Sequence, residues 1–401
     1  MKTNPAVAVT GIGCLCAAGL NLKECMDSLF SGGCRPHPPR RFSSDHPTVY
    51  PVFEIFKTPS IGDNGPQSDI MLTAKFALTA AEEALGNAKL NRKILAGKRV
   101  GVCIGTTTGS AMNNEDFYLD FRSSGRPHMD AITRFLKSNP AKVIAEQYGV
   151  AGPCQTIVNA CSSGTDAIGL GASWIRSGLC DVVIAGGADE LCRVSYNGFI
   201  SLMITDESPC RPFDVDRKGL NLGEGAAMLV LESKAFRRKR NQVARAMLLG
   251  YGSACDAYHL IAPAPDGRGL KQAIATATAM AACQKAADSI AFINVHGTGT
   301  RDNDRVESRV LNELLSGVPF LSTKGYTGHT LGAAGAIEAA FTIACLEAGK
   351  IPASAGFETP DPELPATPVQ QETSVNGTLA MSQSLAFGGN NAVVIFGKGD
   401  G

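Results

Sequence analysis

The chain predicts an α/β fold, on three observations. Short apolar runs alternate with helical stretches along its 401 residues. The apolar runs are largely apolar on both faces, as strands buried between helices are. Composition agrees: 44% hydrophobic and 18% charged residues with 44 glycines describe a well-buried chain with many tight turns, not a disordered one.

Strands are predicted at Ala6–Thr10, Val100–Ile104, Val182–Ala185, Ala227–Leu231, Ala291–Val295 and Ala392–Phe396. Helices are predicted at Ile70–Leu85, Asp166–Arg176, Gly269–Cys283, Arg305–Leu315 and Ala333–Leu346. In the first helix Ala74, Ala77, Leu78, Ala81 and Leu85 share one face. The small residues of Ala333–Ala340 suit a helix packed closely in an interior layer. Residues 31–66 and 351–375 are rich in Pro, Gly and polar residues and read as surface loops. A strand running into a glycine turn occurs at Ala8-Val9-Thr10-Gly11-Ile12-Gly13 and again at Asn294-Val295-His296-Gly297-Thr298-Gly299-Thr300. That points to an internal duplication with a seam near residues 235–245, giving halves of residues 1–240 and 241–401.

Several function classes are disfavoured. Lys+Arg 37 balances Asp+Glu 37, so no net field draws nucleic acid or an anionic membrane. Pro5 and the glycine turn break the N-terminal apolar segment, and no uninterrupted apolar run reaches membrane length, so a cytoplasmic protein is expected. The 13 cysteines are irregularly spaced without a CxxC, which supports neither a disulfide framework nor a zinc site. Cys103, Cys180, Cys192 and Cys345 read as core filler, and Cys14 and Cys16 as packing. The first Gly-x-Gly lacks the third glycine of a dinucleotide fingerprint, because Cys16 stands there. Arg237-Arg238-Lys239-Arg240 reads as the solvated end of a helix, with a docking patch as the alternative.

Three motifs carry chemistry. In Val158-Asn159-Ala160-Cys161-Ser162-Ser163-Gly164-Thr165-Asp166-Ala167, one cysteine stands among small residues just ahead of a helix. A thiol there meets unpaired N–H groups and the positive end of the helix dipole, which favour the nucleophilic thiolate. A lone cysteine is usually a small buried apolar residue. Two histidine motifs set Cys161 apart. One strand delivers His296 into a Gly/Thr turn, at a strand end where active sites gather. Lys324-Gly325-Tyr326-Thr327-Gly328-His329-Thr330-Leu331-Gly332 places Lys324 and His329 in a loop that opens the Ala-rich helix.

With these motifs in this order the chain resembles an elongating β-ketoacyl-[acyl-carrier-protein] synthase of the thiolase superfamily. The resemblance spans nearly the whole chain and includes Arg211-Pro212-Phe213-Asp214, Gly223-Glu224-Gly225-Ala226, Asp256-Ala257-Tyr258-His259 and Leu385-Ala386-Phe387-Gly388-Gly389-Asn390-Asn391. It implies the thiolase fold, five αβαβα layers built from two similar halves, with the site at their junction. It implies that an acyl group passes from a carrier-protein phosphopantetheine to Cys161, and that a malonyl-carrier then loses CO2 and attacks the thioester.

The resemblance also assigns roles. His296 and His329 become N–H donors to the enolate. Lys324 becomes a buried orienting charge partnered by Glu338 and Glu307, with Asp304 in support. The N–H groups of Cys161 and Phe387 form a second oxyanion hole. Phe387 is a gate, with Gly388 and Gly389 giving its loop freedom. Thr108 and Phe199 belong to the acyl pocket. No tightly bound cofactor or metal is implied. The implied partners are an acyl carrier protein and a second copy of the chain, or alternatively a ketosynthase-like subunit.

Two departures from the family pattern matter. Gln67–Lys75 holds one cation where the family often carries a basic docking cluster, so Arg134, Lys137 and Lys142, or Arg211 with the 237–240 run, are the substitutes. Thr108 is polar where elongation enzymes often have an apolar residue, which points toward an unusual acyl chain such as a polyene or polyketide primer. The Phe387–Asn391 stretch lacks the second cysteine of a degradative thiolase. His329 argues against a chain-starting synthase, and Cys161 against a non-catalytic partner subunit.

Overall fold

A computed structural model describes residues 6–57, 69–282 and 289–400. Its first half contributes β1 (Val7–Cys16), β2 (Val100–Gly105), β3 (Cys154–Ile157), β4 (Val182–Asp189) and β5 (Gly225–Glu232). The second contributes β6 (Ala246–Cys255), β7 (Ile290–Asn294), β8 (Phe320–Leu321), a small hairpin-like pair β9 (Lys350–Ile351) and β10 (Thr373–Ser374), then β11 (Leu379–Ala386) and β12 (Asn390–Lys398). Strand order is β3-β2-β4-β5-β1 in one half and β8-β7-β11-β12-β6 in the other. In each, the first three strands run parallel and the last two alternate. The halves meet where β1 pairs with β6 through Val7–Val9 and Ala246–Leu248.

The halves are therefore repeats, but with a different correspondence from the one the sequence suggested. β1 matches β6, whereas the strand before His296 is β7, the counterpart of β2. The true echo of Gly11-Ile12-Gly13 is Gly250-Tyr251-Gly252. A Cβ at Gly11 or Gly13 would lie 2.0 Å from the carbonyl oxygen of Ala84 or Ala80. One at Gly250 or Gly252 would lie 2.2 or 2.0 Å from that of Ala277 or Ala273. Both glycine pairs thus let an outer helix, Leu72–Asn87 or Arg268–Met280, lie directly on its strand.

The helices Ser163–Arg176 and Ala334–Ala348 form the central layer, each packed against strands of both halves. Leu331–Ala348 is long and apolar enough to cross a membrane, yet most of it is buried in this layer. The same turn precedes both helices. Ala160 and Leu331, each three residues before its helix, have left-handed φ of 49° and 55°. Such a conformation in a non-glycine residue costs about 1–3 kcal/mol and collects at functional sites.

Other expectations shift. The second-half helix begins at Arg301 rather than Arg305, and the central one at Ser163 rather than Asp166. Cys283, the predicted end of another, lies outside the described residues. Within the expected surface loop, Val52, Phe53, Glu54 and Ile55 are buried, and residues 58–66 lie outside the described residues. The basic run does end a helix, Lys234–Lys239, but is only half solvated: Arg237 is buried against Asp400 and Arg240 pairs with Glu232, leaving Arg238 and Lys239 exposed. Cys14 and Cys16 on β1 are buried together with Cys25 of the helix Leu22–Ser31.

Candidate active site

Strand ends from both halves converge on one cavity of about 280 Å³, lined by Cys161, Phe199, His296, His329 and Phe387 among others. Cys161 comes from the turn after β3, His296 from the end of β7, His329 from the turn after β8, and Phe387 from the end of β11.

His296 is placed by carboxylates from the helix Arg301–Leu314. Glu307 accepts the N–H groups of His296 and Gly297, both at 2.7 Å, and the Gln383 side chain at 2.7 Å. One turn earlier, Asp304 accepts from Phe213 N at 2.7 Å and Thr298 N at 3.1 Å, with Arg217 3.7 Å away. Glu307 is therefore not a partner of Lys324, contrary to the sequence expectation. It instead holds the backbone of the histidine and of Gly297.

Lys324 is 1% exposed. Its ammonium pairs with Glu338 and donates to the His296 carbonyl at 2.5 Å and to His296 Nδ1, 3.1 Å away. Burial pushes the carboxyls of Glu338 and Glu307 up to about 7, with Lys324 pulling Glu338 back down. His329 Nδ1 accepts the Leu331 N–H at 3.1 Å. An imidazole nitrogen that accepts carries no proton, so these donors assign both rings the neutral form protonated at Nε2. The rings meet edge to face with centroids 5.2 Å apart. Burial, then Lys324, lowers His329 to about 3; burial, then Lys324 and His329, holds His296 well below its ordinary value.

Cys161 is 4% exposed, and burial pushes its thiol up to about 11. Lys324 and the Phe387 N–H pull it down, while Asp189 and Glu338 push it further up. Burial thus opposes the thiolate that a helix start favours. Cys161 precedes the cap residue Ser162, and desolvation outweighs the nearby positive charge.

Phe387 stacks on Phe199, with centroids 5.6 Å apart and planes 20° from parallel. Its loop turns through Gly388 and Gly389, with left-handed φ of 82° and 77°. Gly388 N–H bonds to Leu260 O, and the Gly389 carbonyl accepts from Asp256 N, both at 2.7 Å. Thr108 does not line the Cys161 cavity. It sits half-buried in the loop after β2, its hydroxyl 3.4 Å from Gly109 O. Arg134, Lys137 and Lys142 are exposed, and Arg211 is half-buried. Lys218 and Arg301 line the cavity beside the solvent-exposed Met203.

Sequence reasoning passed over Asp189, the buried last residue of β4. An acid closing an otherwise apolar strand was the available signal. Among the described residues, no cluster of His, Cys, Asp and Glu has the geometry of a metal site.

Comparison with known proteins adds the following. The family models described as "Beta-ketoacyl synthase, N-terminal domain" and "Beta-ketoacyl synthase, C-terminal domain" match residues 4–236 and 245–358. The chain is 32% identical to 3-oxoacyl-[acyl-carrier-protein] synthase 2 of Synechocystis sp., covering 98% of each chain. It resembles the solved ishigamide ketosynthase/chain length factor with a TM-score of 0.91 and 30% identity, over 98% of this chain and 99% of that one. A type II polyketide synthase acyl-carrier protein in complex with its ketosynthase bound to the hexaketide gives a TM-score of 0.87 and 26% identity, over 98% and 99%.

Proposed function

The chain belongs to the β-ketoacyl synthase family, and from that membership we propose how its residues divide a decarboxylative Claisen condensation. The activity is acyl transfer giving a 3-ketoacyl-acyl carrier protein. The first half, residues 1–240, supplies the nucleophile, and residues 241–401 supply the histidines.

In the first step Cys161 sulfur attacks the carbonyl of an acyl-carrier thioester. The bond to the phosphopantetheine sulfur breaks, and the thiol proton of Cys161 leaves with the carrier. The lifted thiol pKa means that deprotonation accompanies attack rather than preceding it. In the second step the C–C bond of a malonyl-carrier breaks and CO2 departs. The enolate oxygen accepts N–H bonds from Nε2 of His296 and His329, and its carbon attacks the acyl-Cys161 carbonyl. The backbone N–H groups of Cys161 and Phe387 receive the resulting oxyanion, and the thiolate leaves. Oxyanion-hole donors of this kind supply about 3–4 kcal/mol each.

The observation that carries this reading is the fixed protonation of the two imidazoles, which face the cavity of Cys161 as neutral donors. An imidazolium poised to give up a proton would be acid–base machinery. A neutral imidazole with Nδ1 occupied is a hydrogen-bond donor. Lys324 holds one ring in that form and Glu338 compensates Lys324.

The substrates arrive on the phosphopantetheine of an acyl carrier protein, and no tightly bound cofactor enters the reaction. The working assembly is a homodimer in the cytoplasm. A second reading places the enzyme in a polyene or polyketide pathway beside a ketosynthase-like subunit. The likeness to a ketosynthase/chain length factor supports it.

The test supplies acyl-carriers of graded length and saturation with malonyl-carrier, and measures 3-ketoacyl-carrier and CO2. Wild type forms both in equal amounts, and Cys161→Ala forms no ketoacyl product. Condensation by Cys161→Ala would contradict the reading. A requirement for an added ketosynthase-like subunit would favour the second version.

A further inference from the structure

In each half, three parallel strands end on the side of the cavity. β3, β7, β8 and β11 lead to Cys161, His296, His329 and Phe387. β2 and β4 have no part in the mechanism above, and a single carboxylate joins their ends. Asp189 Oδ1 accepts the Thr106 hydroxyl at 2.7 Å and the Gly109 N–H at 3.1 Å. Its Oδ2 accepts the N–H groups of Thr107 and Gly332, both at 2.7 Å.

Three of these donors lie in the loop after β2, which contains Thr108. The fourth, Gly332, follows Leu331, whose own N–H fixes the His329 ring. Gly332 also occupies, in the second-half turn, the place that Cys161 occupies in the first, each following the left-handed residue. The two loops touch through backbone: a Cβ at Gly332 would lie 2.4 Å from Thr107 N.

The geometry points to Asp189 as a positioning residue, one that holds the His329 turn in register with the loop after β2. This rests on the roles proposed above for Cys161 and His329. Burial pushes its carboxyl up to about 6, against the four donors. At neutral pH it is therefore largely ionised and accepts at both oxygens. Losing the carboxylate leaves the Gly332 N–H without its acceptor and frees the turn that carries the malonyl-side imidazole. The thioester exchange at Cys161 does not use that imidazole.

The two half-reactions separate this role from a merely structural one. Acyl transfer to Cys161 is followed by intact mass, and decarboxylation by CO2 release from malonyl-carrier. In Asp189→Ala, decarboxylation falls by about 10- to 100-fold, the range a displacement near 1 Å produces, while acylation does not fall, because removing the Asp189 charge eases rather than hinders ionisation of Cys161. Asp189→Asn keeps one oxygen for Thr107 and Gly332; the Thr106 hydroxyl can turn to accept from the amide, while the Gly109 N–H loses its acceptor, so the variant restores part of the decarboxylation. If Asp189→Ala is recovered unfolded, Gly332→Ala, which wedges the same contact apart, gives the same split. Equal loss of both half-reactions in whichever variant folds overturns the inference, as does unchanged decarboxylation. A wild type that performs neither half-reaction contradicts the functional reading instead.

Discussion

The ammonium of Lys324 lies 3.1 Å from Nδ1 of His296 and donates to it, while the same ammonium is neutralised by Glu338. One buried cation thereby sets the tautomer of the His296 ring and depends on one buried carboxylate. Removing it strands both partners. Lys324→Ala is expected to lower stability by about 3–5 kcal/mol, as breaking one side of a buried ion pair does, and to abolish most condensation. Urea unfolding with circular dichroism reads the first and product formation the second. A loss below about 1 kcal/mol would show that Glu338 finds another partner.

His329, held near 3, stays neutral across the range in which an exposed histidine titrates. Its folded pKa lies below the unfolded 6.5, so the unfolded state binds the proton first as pH falls. The ring therefore adds nothing to pH dependence above about 6.5 and erodes stability from there down to about 3. Nitrogen-15 NMR of labelled histidine should show the Nε2–H tautomer unchanged from pH 8 to pH 5. A titration midpoint near 6.5 would contradict the arrangement.

Alkylation of Cys161 by iodoacetamide should rise with pH toward a midpoint near 11, well beyond the range of an exposed thiol. Because Lys324 pulls this pKa down, Lys324→Ala moves the midpoint higher. Asp189 pushes it up, so Asp189→Asn moves it lower. A plateau already reached at pH 8 would mean that the turn stabilises the thiolate after all.

The stacking of Phe387 on Phe199 is a contact that a swinging loop must break, worth about 0.5–1.5 kcal/mol beyond burial. Phe387→Ala should leave acylation of Cys161 largely intact and impair the ordering of the two half-reactions. Single-turnover acylation compared with steady-state condensation tests this. Unchanged steady-state condensation would count against the gate.

Much of the fold could be read directly because its strands are buried on both faces, as β2, β4 and β5 are. β3, β6, β11 and the two-residue strands β8, β9 and β10 were passed over: β3 is largely exposed, β6 alternates between buried and half-buried positions around two glycines, and β11 is buried but carries the polar run Ser382, Gln383 and Ser384. The duplication was legible, but its correspondence was not. Gly11 and Gly13 serve helix packing and Gly297 and Gly299 form the left-handed turn after His296, so equal composition hid unequal roles. Cys161, His296, Lys324 and His329 stood out because rare residue types headed long glycine-flanked motifs. The partner of Glu307, the raised pKa of Cys161 and the clamp at Asp189 did not, since each depends on contacts that only the fold creates. The place of Thr108 outside the Cys161 cavity is of the same kind.

The central claim is that Cys161 carries the acyl group. Its most direct test is the intact mass of the protein after incubation with a panel of acyl-carrier proteins, followed by peptide mapping, beside Cys161→Ala. The account predicts one acyl adduct per chain, on the Cys161 peptide of wild type and absent from the variant, with the best donor identifying the chain the pocket accepts. An adduct that persists in Cys161→Ala, or maps to another cysteine, would contradict it.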